Sequence, residues 1–189
     1  MDRLEAEGTH VARSQRRERI THREDLTGEH RLGDAGQAVF ACLFGAVWIG
    51  DTFFLQSTTA LNAYVPLWVR IPLGTALLIL SGWMARTGLN MVFSEERHEP
   101  GVIRKGVFNR VRHPIYLSEI LLYFSLLILS LSLAAGVVWI AAVVFLHAIS
   151  RHEERLLLER FGEDYARYMG DVPMWVPRIR RKRERGMEL

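Results

Sequence analysis

Two clusters of side chains in this sequence could carry chemistry, and each lies beside a long apolar stretch. The first is the run Arg-His-Pro-Ile-Tyr at residues 112–116. Proline is well tolerated at the first position of a helix, because its missing N–H would be unpaired there anyway. The free N–H groups at a helix start can hold an anion, and Arg112 and His113 add further donors. This cluster therefore predicts an anion-binding helix start at the mouth of an apolar segment.

The second cluster follows the last apolar stretch and begins with Glu153 and Glu154. Leu157 and Phe161 come next, at the i, i+4 spacing of a packing pair on one helix face. The glycine at position 162 is typical of a helix end. Two tyrosines, at positions 165 and 168, are then expected on a short helix along the membrane surface, where aromatic side chains are common. The pattern predicts a charged helical extension that stops at the glycine.

Four apolar segments must position these clusters. The mean hydropathy is only +0.07, but apolar and charged residues are strongly segregated along the chain. Apolar stretches of roughly the 20 residues that a membrane-spanning helix needs occur at about 36–55, 65–85, 115–133 and 134–150. The last two meet at 133–136, which is too short for anything but a tight helical hairpin. We therefore predict an all-α integral membrane bundle of about four spanning helices, the last two forming a hairpin with a cytoplasmic helical extension.

The distribution of basic residues predicts the orientation. Of the 24 Lys and Arg residues, seven lie in 1–35, six in 86–114 and ten in 150–189. Basic segments stay on the cytoplasmic side, so both termini are expected there, with a prokaryotic inner membrane as the default location. The expected organisation is a polar N-terminal segment without a cleaved leader at 1–35, a membrane domain at 36–177 and a basic tail at 178–189.

Three ionisable residues lie within the apolar stretches, where an unpaired charge is costly. Asp51 and Arg70 are at similar depths in the first two spans, so they could form an ion pair; alternatively, Arg70 extends toward the interface. Glu119 shares a helix face with Tyr116 and Tyr123, at i, i+3 and i+7. It is either a carboxyl bonded to a tyrosine hydroxyl inside the bundle or a wall of a ligand pocket.

Three features follow one another in the sequence: Arg-His-Pro-x-Tyr, a hydrophobic hairpin, and Glu-Glu-x-x-Leu-x-x-x-Phe-Gly-x-x-Tyr-x-x-Tyr-x-x-x-Val-Pro. This order resembles the isoprenylcysteine carboxyl methyltransferase family. Phospholipid N-methyltransferases are related to that family. The resemblance covers about residues 100–177. It departs at Ser118, where the family often has glycine, at Glu119, where an apolar residue is usual, and at Met174, where many relatives have arginine. The first two departures could reshape the pocket.

The resemblance implies an enzyme that uses S-adenosylmethionine, bound at the cytoplasmic end of the hairpin, with a lipophilic acceptor arriving from the bilayer. The residues that it implies for cofactor binding are Arg112, His113, Tyr116, Glu153, Glu154, Tyr165 and Tyr168. Within this set, Glu154 is expected to accept a hydrogen bond from the ammonium of the donor. Arg112 and the helix start are expected to receive its carboxylate. The expected partners are a lipid or lipophilic small molecule and membrane lipids, with no nucleic acid and no metal.

The sequence does not name the acceptor. A carboxylate, and hence O-methylation, is expected first, because a carboxylate is already a nucleophile and needs no base. An amine of a phospholipid or small molecule is an alternative that does need one, and Glu119 and His147 are then the candidate catalytic bases. Two further alternatives are an NADPH-dependent membrane reductase of the distantly similar sterol-reductase type, against which the short chain argues, and a non-catalytic membrane adaptor.

Overall fold

The computed structural model describes residues 31–93 and 101–177, so the predictions for 1–30 and 178–189 lie outside it. The regular structure of the described residues is helical, which confirms the predicted class. The helices are α1 (Arg31–Ile49), which continues as a π-helical segment (Gly50–Leu55), α2 (Leu67–Val92), α3 (Pro114–Ser130), α4 (Leu133–Phe161) and α5 (Glu163–Asp171). Short 3-10 turns lie at Ala60–Ala63 and Gly106–Asn109.

Helix length and composition make this an integral membrane protein. Three segments of the described chain are long and apolar enough to cross a bilayer: Gly33–Leu55, Leu67–Val92 and Leu133–Phe161. Helix α3 is also apolar but has 17 residues, about 26 Å, slightly less than a hydrocarbon core of ~30 Å. Helix α4 has 29 residues, about 44 Å, so its charged end extends beyond such a core. The side of the membrane on which each end lies stays a prediction.

The predicted hairpin of the last two long helices is present, but its turn lies earlier than expected. Leu131 adopts the left-handed conformation, with φ of 49°. The Ser132 hydroxyl then accepts a hydrogen bond from the N–H of Ala135 at 3.1 Å and so caps α4. The placement of the turn at 133–136 was therefore wrong: because the serine cap starts α4 at Leu133, Gly136 belongs to the helix.

The predicted ion pair between Asp51 and Arg70 is absent from the structure. The Asp51 carboxylate accepts hydrogen bonds from the hydroxyls of Thr58 at 2.5 Å and Ser132 at 2.6 Å, and from two backbone N–H groups of the loop after α1. Arg70 donates to the carbonyl of Leu129 at 2.7 Å and to an asparagine of the same loop. Both buried groups thus have nearer polar partners, and both tie this loop to the α3–α4 hairpin.

Glycines allow α1 to lie directly on its neighbours. A Cβ at Gly36 would fall 2.0 Å from the ring of Phe145 on α4. A Cβ at Gly33 would lie 3.3 Å from the hydroxyl of Tyr116 on α3. Side chains larger than hydrogen would push the helix away. The described part of α1 thus includes residues 31–35, which we expected to be separate from the membrane domain, and it packs against α3 and α4 at these glycines.

Helices α2 and α3 form the other close pair. The hydroxyl of Ser81 donates to the backbone carbonyl of Ser118 at 2.7 Å, and the Ser118 hydroxyl donates to the carbonyl of Ile115 at 2.6 Å. Gly88 brings α2 against Ile115, since a Cβ there would lie 3.0 Å from that side chain. Ser118, one of the departures from the family pattern, therefore contributes to helix packing.

Candidate active site

A cavity of about 310 Å³ lies between Asp34 and Gln37 of α1, the end of α2, the start of α3 and the charged end of α4. Six of the seven side chains predicted to bind cofactor line it: Arg112, His113, Tyr116, Glu153, Tyr165 and Tyr168. Apolar side chains from α2, α4 and the segment before α3 complete the wall. The volume is within the range of about 300–1,000 Å³ that small-molecule sites occupy.

The seventh predicted residue, Glu154, is buried next to the cavity and is not part of its lining. One of its carboxylate oxygens lies 2.7 Å from Nε of Arg112 and 3.3 Å from Nε2 of His113. The side chains of Glu154 and Arg112 are only 2% and 9% exposed. Charge-assisted hydrogen bonds of this length are strong. Glu154 therefore lies where it can anchor the Arg-His-Pro loop. Its contact with the donor stays a prediction, and its position outside the cavity lining does not favour that contact.

Arg112 joins that loop to the segment after α5. Its backbone N–H donates to the carbonyl of Pro173 at 3.0 Å. Its Nη1 donates to the carbonyls of Met169 and Val172, both at 2.9 Å. The arginine and the Val-Pro pair of the sequence pattern are therefore parts of one clamp. Nε and Nη1 of the guanidinium are committed to this clamp, and the predicted contact of Arg112 with a ligand carboxylate stays a prediction.

His113 is held as a neutral imidazole. Burial lowers its pKa below the usual value, although the nearby carboxylate of Glu154 opposes that shift. An ionised carboxylate only accepts hydrogen bonds, so the 3.3 Å contact with Glu154 assigns the proton to Nε2. The ring also stacks on Tyr116, with centroids 5.8 Å apart. His113 therefore contributes a polar but uncharged surface to the cavity.

Glu153 is the member of the glutamate pair that lines the cavity. Its carboxylate accepts a hydrogen bond from the hydroxyl of Tyr116, and its other oxygen lies 3.7 Å from Nδ1 of His113. Consecutive residues of a helix project about 100° apart, so Glu153 and Glu154 approach the two nitrogens of His113 from different sides. The helix rotation assigns Glu153 to the cavity and Glu154 to the buried clamp.

The two tyrosines of α5 form a wall of the cavity. Gly162, with φ of 53°, ends α4 as predicted and lets the chain turn into α5. Tyr165 and Tyr168 are each 3% exposed, and the Tyr168 hydroxyl donates to the carbonyl of Phe108 at 2.6 Å. Burial raises the pKa of both hydroxyls above the usual range, so both stay neutral at physiological pH. The predicted short helix is confirmed, its position along the membrane surface stays a prediction, and its tyrosines pack inward against the protein.

Neither predicted catalytic base lines the cavity. Glu119 accepts a hydrogen bond from the hydroxyl of Tyr123 at 2.5 Å, which is the first of the two alternatives for this carboxyl. His147 is exposed, and its Nδ1 accepts from the indole N–H of Trp175 at 3.1 Å. Their roles as bases stay predictions, and both side chains lack the direct access to the cavity that such a role requires.

Two polar lining residues were missed by the sequence reasoning. Asp34 and Gln37 of α1 line the cavity, although residues 1–35 were expected to form a separate segment. The local sequence pattern could have identified them. Asp34 and Gln37 are three residues apart and therefore on one helix face, and they alternate with Gly33 and Gly36, the two glycines that seat α1 against its neighbours.

The charges of the cavity suit a cationic ligand. Asp34 and Glu153 contribute two carboxylates. Among the other described lining residues, the charge of Arg112 is offset by Glu154 at 2.7 Å, and burial, which lowers the pKa of His113, favours its neutral form. An excess of one charge sign in a largely apolar cleft attracts ligands of the opposite sign. The described lining therefore favours a molecule with positive charge and an apolar portion.

One comparison with known proteins bears on this site. The family model described as phospholipid methyltransferase matches residues 69–164. The match extends from α2 to the start of α5 and includes Arg112, His113, Tyr116 and both glutamates, whereas α1 precedes it. No curated protein matches the chain.

Proposed function

Because the chain belongs to the phospholipid methyltransferase family, and is thus a membrane methyltransferase, we propose that it moves a methyl group from S-adenosylmethionine to a lipophilic acceptor in this cavity. The proposal is carried by the convergence of six predicted residues on one cavity at the end of an apolar bundle. The related reductase and the non-catalytic adaptor have no comparable support, since membership of a methyltransferase family favours neither.

The residues of the cavity fit the donor. When bound, S-adenosylmethionine supplies a methyl group on a positively charged sulfonium. Glu153 would hold its ammonium by a charge-assisted hydrogen bond. The Nη2 group of Arg112 and the helix start at Pro114 would hold its carboxylate. The neutral Tyr165 and Tyr168 present aromatic surface without competing charge. In this arrangement Glu153 takes the place that the motif alone suggested for Glu154.

The charges around the cavity favour an amine as acceptor over the carboxylate expected first. An anionic acceptor would meet the carboxylates of Asp34 and Glu153, whereas Arg112, the one cation among the described lining residues, is already paired. An amine must lose a proton before it attacks, and a cavity carboxylate that is not bonded to the donor would accept that proton. We therefore propose N-methylation of a membrane-soluble amine, with carboxylate O-methylation as the alternative outcome.

The test uses the full chain purified in detergent and then placed in vesicles. Binding of S-adenosylhomocysteine is measured by calorimetry, with NADPH as the comparison ligand. Methyl-labelled S-adenosylmethionine is then supplied to vesicles that contain either phosphatidylethanolamine or oleic acid. We expect S-adenosylhomocysteine to bind, NADPH not to bind, and the label to enter the amine lipid.

Two variants provide the control. Glu153→Gln is expected to lose label transfer, whereas Glu159→Gln removes the same charge from an exposed position on the same helix and should retain it. Label in oleate alone would support O-methylation and contradict the amine. Binding of NADPH without binding of S-adenosylhomocysteine would overturn the methyltransferase proposal.

A further inference from the structure

We propose that the first turns of α1 form a ligand-binding wall, in which Asp34, supported by Gln37, binds an ammonium group inside the cavity. The proposal rests on the function proposed above and adds residues to it. Both side chains line the cavity, and both precede the matched residues 69–164. They are therefore a feature of this chain beyond the family-matched segment.

The position of this wall is set by close contacts. Gly33 is buried, and a Cβ there would lie 3.3 Å from the Tyr116 hydroxyl and 3.7 Å from a carboxylate oxygen of Glu153. One turn later, Gly36 leaves room only for the ring of Phe145. The backbone beside Asp34 therefore rests on the Tyr116–Glu153 pair, and the carboxylates of Asp34 and Glu153 belong to adjacent walls of one cavity.

The chemistry of Asp34 and Gln37 indicates what they bind. Within residues 31–93 and 101–177, neither side chain has a hydrogen bond or an ion pair. Asp34 offers a carboxylate and Gln37 offers an amide oxygen to the cavity. An ammonium group has three N–H donors and a positive charge, so it can bond both groups at once. Charge-assisted bonds of this kind contribute roughly ten- to hundredfold in affinity.

Two ligands could bring that ammonium: the amino-acid end of the methyl donor, or an amine acceptor. Both ligands carry the same ammonium group, and binding measurements can distinguish them. S-adenosylhomocysteine carries the amino-acid end without the reactive methyl group. Hexadecylamine carries an ammonium on a lipid chain, and hexadecanol is its uncharged match.

The experiment compares the full-length wild type with Asp34→Asn and with Glu159→Gln, an exposed charge removal outside the cavity lining. Calorimetry gives the affinity for S-adenosylhomocysteine, and the thermal shift in detergent gives the response to hexadecylamine relative to hexadecanol. Asp34 is exposed, so Asp34→Asn should fold with an unchanged melting temperature. Asp34→Glu keeps the charge and should recover part of the lost affinity.

We expect Asp34→Asn to weaken one of the two ligands about tenfold or more, with Glu159→Gln within about twofold of the wild type. A loss confined to S-adenosylhomocysteine assigns Asp34 to the donor, and a loss confined to hexadecylamine assigns it to the acceptor. Unchanged affinity for both would overturn the inference and leave Asp34 as an ordinary solvated side chain. A wild type that fails to bind S-adenosylhomocysteine would instead overturn the proposed function, while the hexadecylamine measurement still tests Asp34.

Discussion

Replacing Glu154 with glutamine tests whether this residue anchors the site from behind or contacts the ligand. Glutamine has nearly the same shape, so the substitution removes the negative charge while leaving an oxygen near Nε of Arg112. In the wild type that oxygen lies 2.7 Å from Nε, with the two side chains 2% and 9% exposed. The variant therefore leaves the guanidinium of Arg112 buried without its counter-charge.

The size of the effect follows from that burial. Removing one partner of a buried ion pair costs about 3–5 kcal/mol. Glutamine keeps one acceptor, and Arg112 keeps its bonds to the carbonyls of Met169, Val172 and Pro173. We therefore expect the lower end, about 3 kcal/mol, or a hundredfold or more in the equilibrium that opens the clamp.

The assay must show where in the protein stability is lost as well as how much is lost. Thermal melts followed by circular dichroism give the global change in stability. Hydrogen exchange with mass spectrometry should show faster exchange in residues 169–177, because that segment is tied to Arg112. A double-mutant cycle with Arg112→Ala and Glu154→Ala isolates the coupling between the two side chains. Glu159→Gln, exposed on the same helix, is the matched control and should change neither quantity.

Two results would contradict an anchoring role for Glu154. If Glu154→Gln leaves exchange in 169–177 unchanged but weakens S-adenosylhomocysteine more than about tenfold, Glu154 contacts the ligand directly. A coupling with Arg112 below about 0.5 kcal/mol would likewise show that the two side chains do not form an energetic unit.

Three further predictions concern other parts of the molecule. Burial lowers the pKa of His113 below its usual value of 6.5. Below pH 6.5 the unfolded chain therefore binds more protons than the folded protein, and the free energy of unfolding decreases as the pH falls. Melting temperatures between about pH 8 and pH 5 should decline on the acid side for the wild type and less steeply for His113→Gln. Gly36→Leu should destabilise α1 by about 1–3 kcal/mol, because its side chain would overlap Phe145; Ala35→Leu at an exposed position should have little effect in the same melts, and equal melts would contradict the packing. Asp51→Asn should lower the melting temperature, since four hydrogen bonds converge on that carboxylate. Binding of S-adenosylhomocysteine should stay within about twofold, because Asp51 lies in the π-helical segment after α1 and does not line the cavity; a large loss of binding would refute this separation.

Local patterns predicted much of the fold. The apolar stretches predicted the helices, since a helix satisfies its backbone hydrogen bonds within its own segment. The order of the motifs predicted that the ends of the last hairpin would meet. Gly162 ended α4 as predicted because glycine readily adopts a positive φ. The hairpin turn was misplaced because the serine cap at Ser132 determines where α4 starts, and Gly136 is accommodated inside the helix.

The sequence by itself determined an all-α membrane protein and six of the polar and aromatic side chains that line the cavity, because hydrophobic length and motif order are properties of the chain. Only the tertiary structure decided that Glu153 faces the cavity while Glu154 clamps Arg112, and that Asp34 joins the site. Those outcomes depend on how each helix is rotated about its axis and how closely helices approach at Gly33 and Gly36. Rotation and approach are set by contacts between segments far apart in sequence, which no local pattern contains.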